Sequence, residues 1–297
     1  MPPKPAHLGP AYGAQFHDES VARAYAARPP YPRELFEWLS ELQRPRGGRI
    51  LELGCGTGDL TLGLSARAER VDAVEPSAAM LAVARPPHSG ADDRRIRWIE
   101  ATAEEAAFDG PYALAVAAES LHWMEWEVVL PKVAAALTPG AVLAIVEREH
   151  VGPLPWDAEL SRLISAYSTN REFRPYDLVN ELTTRGLFRQ AGRRTTTPVA
   201  FAQSIADHIE CMHSRNGFSR DRMAADAAAA FDAAYRRLLE RYCADDVVRF
   251  STVATIVWGS PHGDRDGDGD GGGGGGGGAG TAPHSGQRAP GGVARRS

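Results

Sequence analysis

Cysteine is scarce in this 297-residue chain: Cys55, Cys211 and Cys243 are too few and too scattered for a disulfide framework or a paired-cysteine zinc site. A reducing compartment is expected, and no metal site. Long apolar runs are missing as well. The opening stretch MPPKPAHLGPAYGAQF lacks the apolar run of a signal peptide, and no uncharged apolar span reaches the roughly 18 residues that a bilayer crossing needs. Together these absences predict a cytoplasmic protein without a membrane partner. Basic excess is lacking too: a formal net charge of -5 gives no electrostatic reason to expect nucleic acid, so small or neutral partners are favoured. No internal repeat is found, and a monomer or homodimer is expected.

What is present suits a globular fold, with 43% hydrophobic and 24% charged residues, enough for a sizeable core. Residues 1–260 are expected to form one α/β domain, a Rossmann-like, seven-stranded, mostly parallel sheet flanked by helices. The runs RILEL, RVDAVE, RIRWIEA, YALAVAAE and AVLAIVE alternate with helical segments such as DLTLGLSARA and PSAAMLAVAR, as a wound parallel sheet requires. Further on, RRTTTPVAFA and VVRFSTVATIVWG read as the last two strands. The core is expected over about 33–150 plus 246–258, with a helical cap from about 16–32 and 150–245. Residues 261–297, dominated by glycine, bury almost no side chain and predict a disordered tail. Asp264, Asp266, Asp268 and Asp270 alternate there, but the glutamate that would close a calcium loop is missing.

The stretch ILELGCGTGDL, residues 50–60, reads as a buried strand running into a loop with Gly54, Gly56 and Gly58. In open α/β sheets ligands bind outside the carboxyl ends of the strands, and a glycine turn lets them approach the backbone. Two phosphate grips are excluded. The loop lacks the Gly-Lys-Ser/Thr of a P-loop, and Asp59 stands where a dinucleotide fold wants its third glycine. A carboxylate in a helix's first turn competes for the amides that a diphosphate seeks. Glu52, Asp59 and Glu75 make this edge acidic, and Glu75 lies about 20 residues past Gly54, where an acid can grip a ribose diol. A phosphate-free cationic nucleoside such as S-adenosylmethionine meets these conditions.

With these motifs the segment 16–150 resembles the class I S-adenosylmethionine-dependent methyltransferases, in particular the type 11, trans-aconitate methyltransferase-like small-molecule group. ILELGCGTG is similar to that family's first motif, which implies cofactor contacts from Glu52, Gly54, Cys55, Gly56 and Gly58. VEPSAAML resembles the second, with Glu75 on the ribose hydroxyls, Pro76 beside it and Met80 against adenine. IEATAEEAAF is similar to the third-strand segment, where Thr102 stands in place of the usual aspartate and the Ala103 amide takes more of the adenine contact. VARAYAARPPYP resembles the segment that folds over the cofactor, which makes Tyr25, Arg28 and Tyr31 lid residues. AAESLHWMEW resembles the active-site edge and brings Glu119, His122 and Trp123 toward cofactor and substrate.

The resemblance implies methyl transfer by in-line displacement to a small-molecule acceptor with an oxygen, nitrogen or carbon nucleophile. A catalytically silent S-adenosylmethionine-binding sensor or assembly protein is the alternative. Where the nucleophile must shed a proton, His122 or Glu119 is the candidate catalytic base. Tyr31, His122, Trp123 and, from the cap, His213 are candidates for the substrate pocket, with Arg215 close by in sequence. Cys55 reads as a small filler between glycines, because the acidic setting opposes a thiolate.

Overall fold

The computed structural model describes residues 4–85 and 93–261. Apart from Pro261, the glycine-rich tail lies outside the described residues, as does its aspartate series. Five strands run parallel: β1 (Ile50–Leu53), β2 (Val71–Glu75), β3 (Ile96–Glu100), β4 (Leu114–Ala118) and β5 (Leu143–His150). With β6 (Phe188–Thr195), β7 (Val199–Ser204) and β8 (Val247–Pro261) they form one sheet in the order β3-β2-β1-β4-β5-β8-β6, and β7 also pairs with β8. The chain winds outward from β1 to β3, then returns to place β4 on the other flank of β1. That reversal opens a crevice at the carboxyl ends of β1 and β4.

Strands covered on both faces read as continuous apolar runs. Every residue of β1 and β2 is buried, which is why ILEL and VDAVE carry so few polar positions. Helices α1 (Pro10–Gly13) and α2 (Glu19–Ala24) lie in an N-terminal strap, followed by α3 (Arg33–Leu42), α4 (Asp59–Ser65), α5 (Ala78–Ala84) and α6 (Trp126–Ala136). Leu35 and Leu39 of α3, one turn apart, pack with Ile50, Val71 and Leu114 on one face. Trp126, Val129, Leu130 and Val133 of α6 pack on the other with Leu51, Ala115 and Leu143.

After α7 (Asp157–Tyr167) come α8 (Leu178–Thr184), α9 (Ile205–His213) and α10 (Ala225–Glu240). Helices α9 and α10 share a separate core with Trp156, Phe218 and Phe231, as a cap requires. Within the span expected as cap, 150–245, α8 instead joins the sheet layer: Leu178 and Leu182 pack with Phe188 and Val257. The expected strand 193–202 is two strands. Thr196 donates its N–H to the Ala254 carbonyl and accepts from Ala254 N through its hydroxyl, and Pro198 has no N–H to continue the ladder. One expected strand position therefore carries β6 and β7, which gives eight strands among the described residues.

At the amino ends of the strands, opposite the crevice, Asp72 is fully buried. It accepts from Arg49 (2.8 Å), Arg70 (2.7 Å) and the Tyr112 hydroxyl (2.8 Å), tying together the entries to β1, β2 and β4. Burial alone would raise its carboxyl pKa, but Tyr112 and the two guanidiniums hold it below the ordinary value. A depressed carboxyl stabilises the fold above its unfolded pKa and loses that contribution as pH falls. Asp72→Asn is therefore expected to lower the unfolding free energy by about 3 kcal/mol at pH 7. In urea titrations at several pH values, the gap between variant and parent should narrow below about pH 4.

Candidate functional site

The crevice is built on backbone that L side chains rarely adopt. Gly54, Gly56 and Gly58 have φ of +68°, +55° and +83°, so the glycines are conformational requirements. At Gly54 there is also no room: a Cβ would lie 2.5 Å from the Cβ of Ser120. Ser120, just beyond β4, donates its hydroxyl to the Leu53 carbonyl (2.5 Å) and so bridges the diverging ends of β1 and β4. The Gly54 and Cys55 amides both reach the Val74 carbonyl, at 2.8 and 3.0 Å, which draws the loop back over β2. Cys55 is buried, and burial pushes its thiol up, in keeping with a filler role.

Two acids face this loop from the strand ends. Glu75 closes β2 and accepts from Gly56 N and Ser77 N, both at 3.0 Å, so it fixes the loop and the start of α5 together. Each of its oxygens keeps a further lone pair. Glu52, in β1, is 2% exposed and its Oε2 has no hydrogen-bond partner. Burial pushes its carboxyl up to about 8; the Thr61 hydroxyl works against this and the charges of Asp59 and Glu75 add to it. Asp59 opens α4 and is exposed.

Met80 is 1% exposed and packs with Val21, Ala22 and Tyr25 of the strap. Pro76 precedes Ser77, whose hydroxyl caps α5 by accepting from Met80 N (3.2 Å). The Thr102 hydroxyl donates to the Glu105 carboxylate (3.0 Å) and accepts from Glu105 N (3.2 Å), so it caps its own turn. Ala103 beside it is buried. Sequence reasoning missed Lys132, whose ammonium donates to the carbonyls of Ala103 (3.0 Å), Glu104 (2.6 Å) and Ala106 (3.0 Å) and fixes this turn to α6.

The residues expected to form a lid converge on one carboxylate. Glu119 follows β4 with φ of +53°, and its Oε2 lies 3.3 Å from Arg28 and 3.1 Å from Arg148. Burial would raise its carboxyl, but Arg148 and Arg28 hold it below the usual value. Arg28 stacks on Tyr25 (3.9 Å) and donates to the Ser214 hydroxyl and carbonyl at 2.8 and 2.7 Å; Arg148 stacks on Tyr31 (4.4 Å) and donates to the Pro29 carbonyl. The strap is sewn to the cap further out: Gln15 accepts from Gly217 N, and Asp18 pairs with Arg222 at 2.6 Å.

His122 and Trp123 occupy a 3-10 turn beyond Ser120. Burial pushes His122 down to about 4, so the ring is neutral at pH 7. His213 does not join them. It is fully buried, with Nδ1 at 2.7 Å from the Phe218 carbonyl and Nε2 at 2.7 Å from Asp232. Both ring nitrogens are spent on the cap core, which corrects the expectation of a substrate contact. Arg215, two residues on, is exposed. Among the described residues no group of three or more His, Cys, Asp or Glu side chains is placed to hold a metal, and no helix is long and apolar enough to cross a membrane.

The sheet order and the glycine loop define a class I S-adenosylmethionine-dependent methyltransferase fold. Residues 50–140 match the family model described as a methyltransferase domain. An uncharacterized methyltransferase of Mycobacterium tuberculosis is 36% identical over 149 residues, 49% of this chain and 57% of that protein. A Saccharomyces cerevisiae protein named a probable S-adenosylmethionine-dependent methyltransferase is 28% identical over 120 residues, 39% of this chain and 41% of that protein. The chain thus spans about half the length of these curated relatives. A solved structure from Anaeromyxobacter dehalogenans, assigned as a type II methyltransferase, is 26% identical with a TM-score of 0.56, covering 79% of this chain and 99% of that one.

The raised carboxyl of Glu52 has a measurable consequence. Between the unfolded pKa near 4.5 and about 8, the folded state keeps a proton that the unfolded state releases, so stability falls as pH rises through that window. Glu52→Gln removes the titration. The variant is expected to match the parent near pH 4.5 and to gain on it progressively up to pH 8 in denaturant titrations.

Proposed function

We propose that this chain transfers the methyl group of S-adenosylmethionine to a small-molecule acceptor. The observation that carries the proposal is Glu52: a buried carboxyl beside a loop that offers no cation to a phosphate, with the Thr61 hydroxyl as the one group near it that favours its carboxylate form and no partner at hydrogen-bond geometry for its Oε2. A cationic ligand fits that vacancy of charge, because it returns Glu52 to its carboxylate form at neutral pH. Glu75 supports the ribose end, with lone pairs left over for two hydroxyls. Because the Thr102 hydroxyl already serves Glu105, the adenine edge falls to the Ala103 amide, with Met80 beneath the ring. Pro76 and the loop from Gly54 to Gly58 give close backbone approach, and Cys55 fills without reacting. Tyr25 and Arg28 cover the site.

When bound, S-adenosylmethionine supplies a methyl carbon on a sulfonium, open to in-line attack. The chain's own tasks are alignment and exclusion of water. The strap, latched through Arg28, Glu119 and Arg148, favours a metabolite-sized acceptor under a closed roof. Glu119, ionised between two guanidiniums, has little affinity for a proton and serves to position the lid. Neutral His122 accepts a hydrogen bond from the acceptor, whose proton becomes acidic as its bond to carbon forms. Tyr31 and Trp123 contribute walls.

Isothermal titration with S-adenosylhomocysteine tests the proposal directly. Binding to the parent is expected, and Glu75→Gln should weaken it at least about tenfold, in line with hydrogen bonds to a charged group. No binding, or binding indifferent to Glu75, overturns it. The engaged Thr102 favours a second reading, a silent sensor that binds the nucleoside without turnover. Transfer of labelled methyl into any product of a metabolite extract decides against that reading.

A further inference from the structure

The structure assigns an acceptor subsite to His7, His122 and Tyr176, and we infer that it takes a planar, uncharged, hydroxylated aromatic molecule. This rests on the methyltransferase reading above and narrows its acceptor. Three chain segments meet here. His7 comes from the N-terminal strap, His122 from the turn after β4, and Tyr176 from the loop before α8. The Tyr176 ring lies 5.4 Å from His7 and 6.3 Å from His122, centroid to centroid. Phe173 stands 5.4 Å from His7 on one side, and Phe16 stands 5.3 Å from Trp123 on the other. Edge-on and tilted packing is the arrangement aromatic rings favour, and a further planar ring can join such a cluster in the same way.

The polar groups of this cluster are unspent. His7 is 4% exposed, yet its Nε2 has no hydrogen-bond partner, a costly state for a buried ring nitrogen. Among the described residues no hydrogen bond engages the His122 ring or the Tyr176 hydroxyl, and burial holds both imidazoles neutral and the phenol protonated. Two imidazoles and a phenol offer donors and acceptors without charge. Three neighbouring cations already have partners. Arg28 and Arg148 are bound to Glu119, and Lys4 donates to the Met124 carbonyl at 3.0 Å. Arg174, exposed beside Phe173 and donating to its carbonyl, carries a charge that reaches His7 and is the feature that an anionic acceptor would use. The exposed Glu147, whose charge reaches Tyr176, is the feature that an ammonium acceptor would use instead.

Four naphthalene probes of one shape separate these chemistries: 2-naphthol, 2-naphthoate, protonated 2-naphthylmethylamine and naphthalene itself. Each is titrated calorimetrically into the protein with and without saturating S-adenosylhomocysteine. The naphthol is expected to bind at least about tenfold more tightly than the other three. Tyr176→Phe and His7→Phe, which keep a ring in place, should each erase most of that preference and leave S-adenosylhomocysteine affinity unchanged. Equal binding of naphthalene and naphthol, or a preference for the carboxylate or the amine, overturns the assignment. So does a preference for naphthol that survives both variants. Failure of S-adenosylhomocysteine alone to bind counts against the methyltransferase reading, while the probe series without it still reads the subsite.

Discussion

The contact on which the site depends is the bridge from the Ser120 hydroxyl to the Leu53 carbonyl, made possible by the missing Cβ of Gly54. Parallel strands that lead to opposite flanks of a sheet must part at their carboxyl ends, and parting leaves backbone groups without ladder partners. Here one hydroxyl spans that gap. Gly54, turned left-handed, lets Ser120 come close enough to do so, and the Val74 carbonyl then gathers two successive amides of the loop. Glu119 and His122 flank Ser120, so the glycine that shapes the proposed cofactor side also sets the position of the proposed acceptor side.

Charge is divided between the two ends of the sheet in a way that matches their tasks. At the amino ends, Asp72 is fully matched by two guanidiniums and a phenol, and its burial serves cohesion. At the carboxyl ends, Glu52 is buried beside other acids with an oxygen unmatched. A fold optimised for stability alone would not keep that arrangement, which is the physical reason to place ligand recognition there.

The central strands and their loop were legible because burial on both faces writes itself as continuous apolar sequence, and because three left-handed positions in five residues leave little choice but glycine. Edge structure was harder to read. FRQAGRRT, the strand β6, is mostly exposed and carries no alternation, and the split at Thr196 arises from a partner almost 60 residues away. Histidines were read least well. His213 has the same local appearance as a site residue, and only its pairing with Asp232 and Phe218 assigns it to the cap core. His7, in a proline-rich opening with no periodicity, gains its place solely through contacts with Phe173 and Tyr176. Lys132 likewise reads as an ordinary helix residue until its three carbonyl partners are seen.

Glu119 combines a left-handed backbone with a carboxylate shared by two arginines. A non-glycine residue in that conformation carries a strain of about 1 kcal/mol or more. Glycine at this position would relieve it and would also leave two largely buried guanidiniums without their shared carboxylate. Local conformational preference and the needs of the lid therefore select for different residues. Such a position is a ratchet: backbone relaxation at Glu119 alone leaves Arg28 and Arg148 to be accommodated as well.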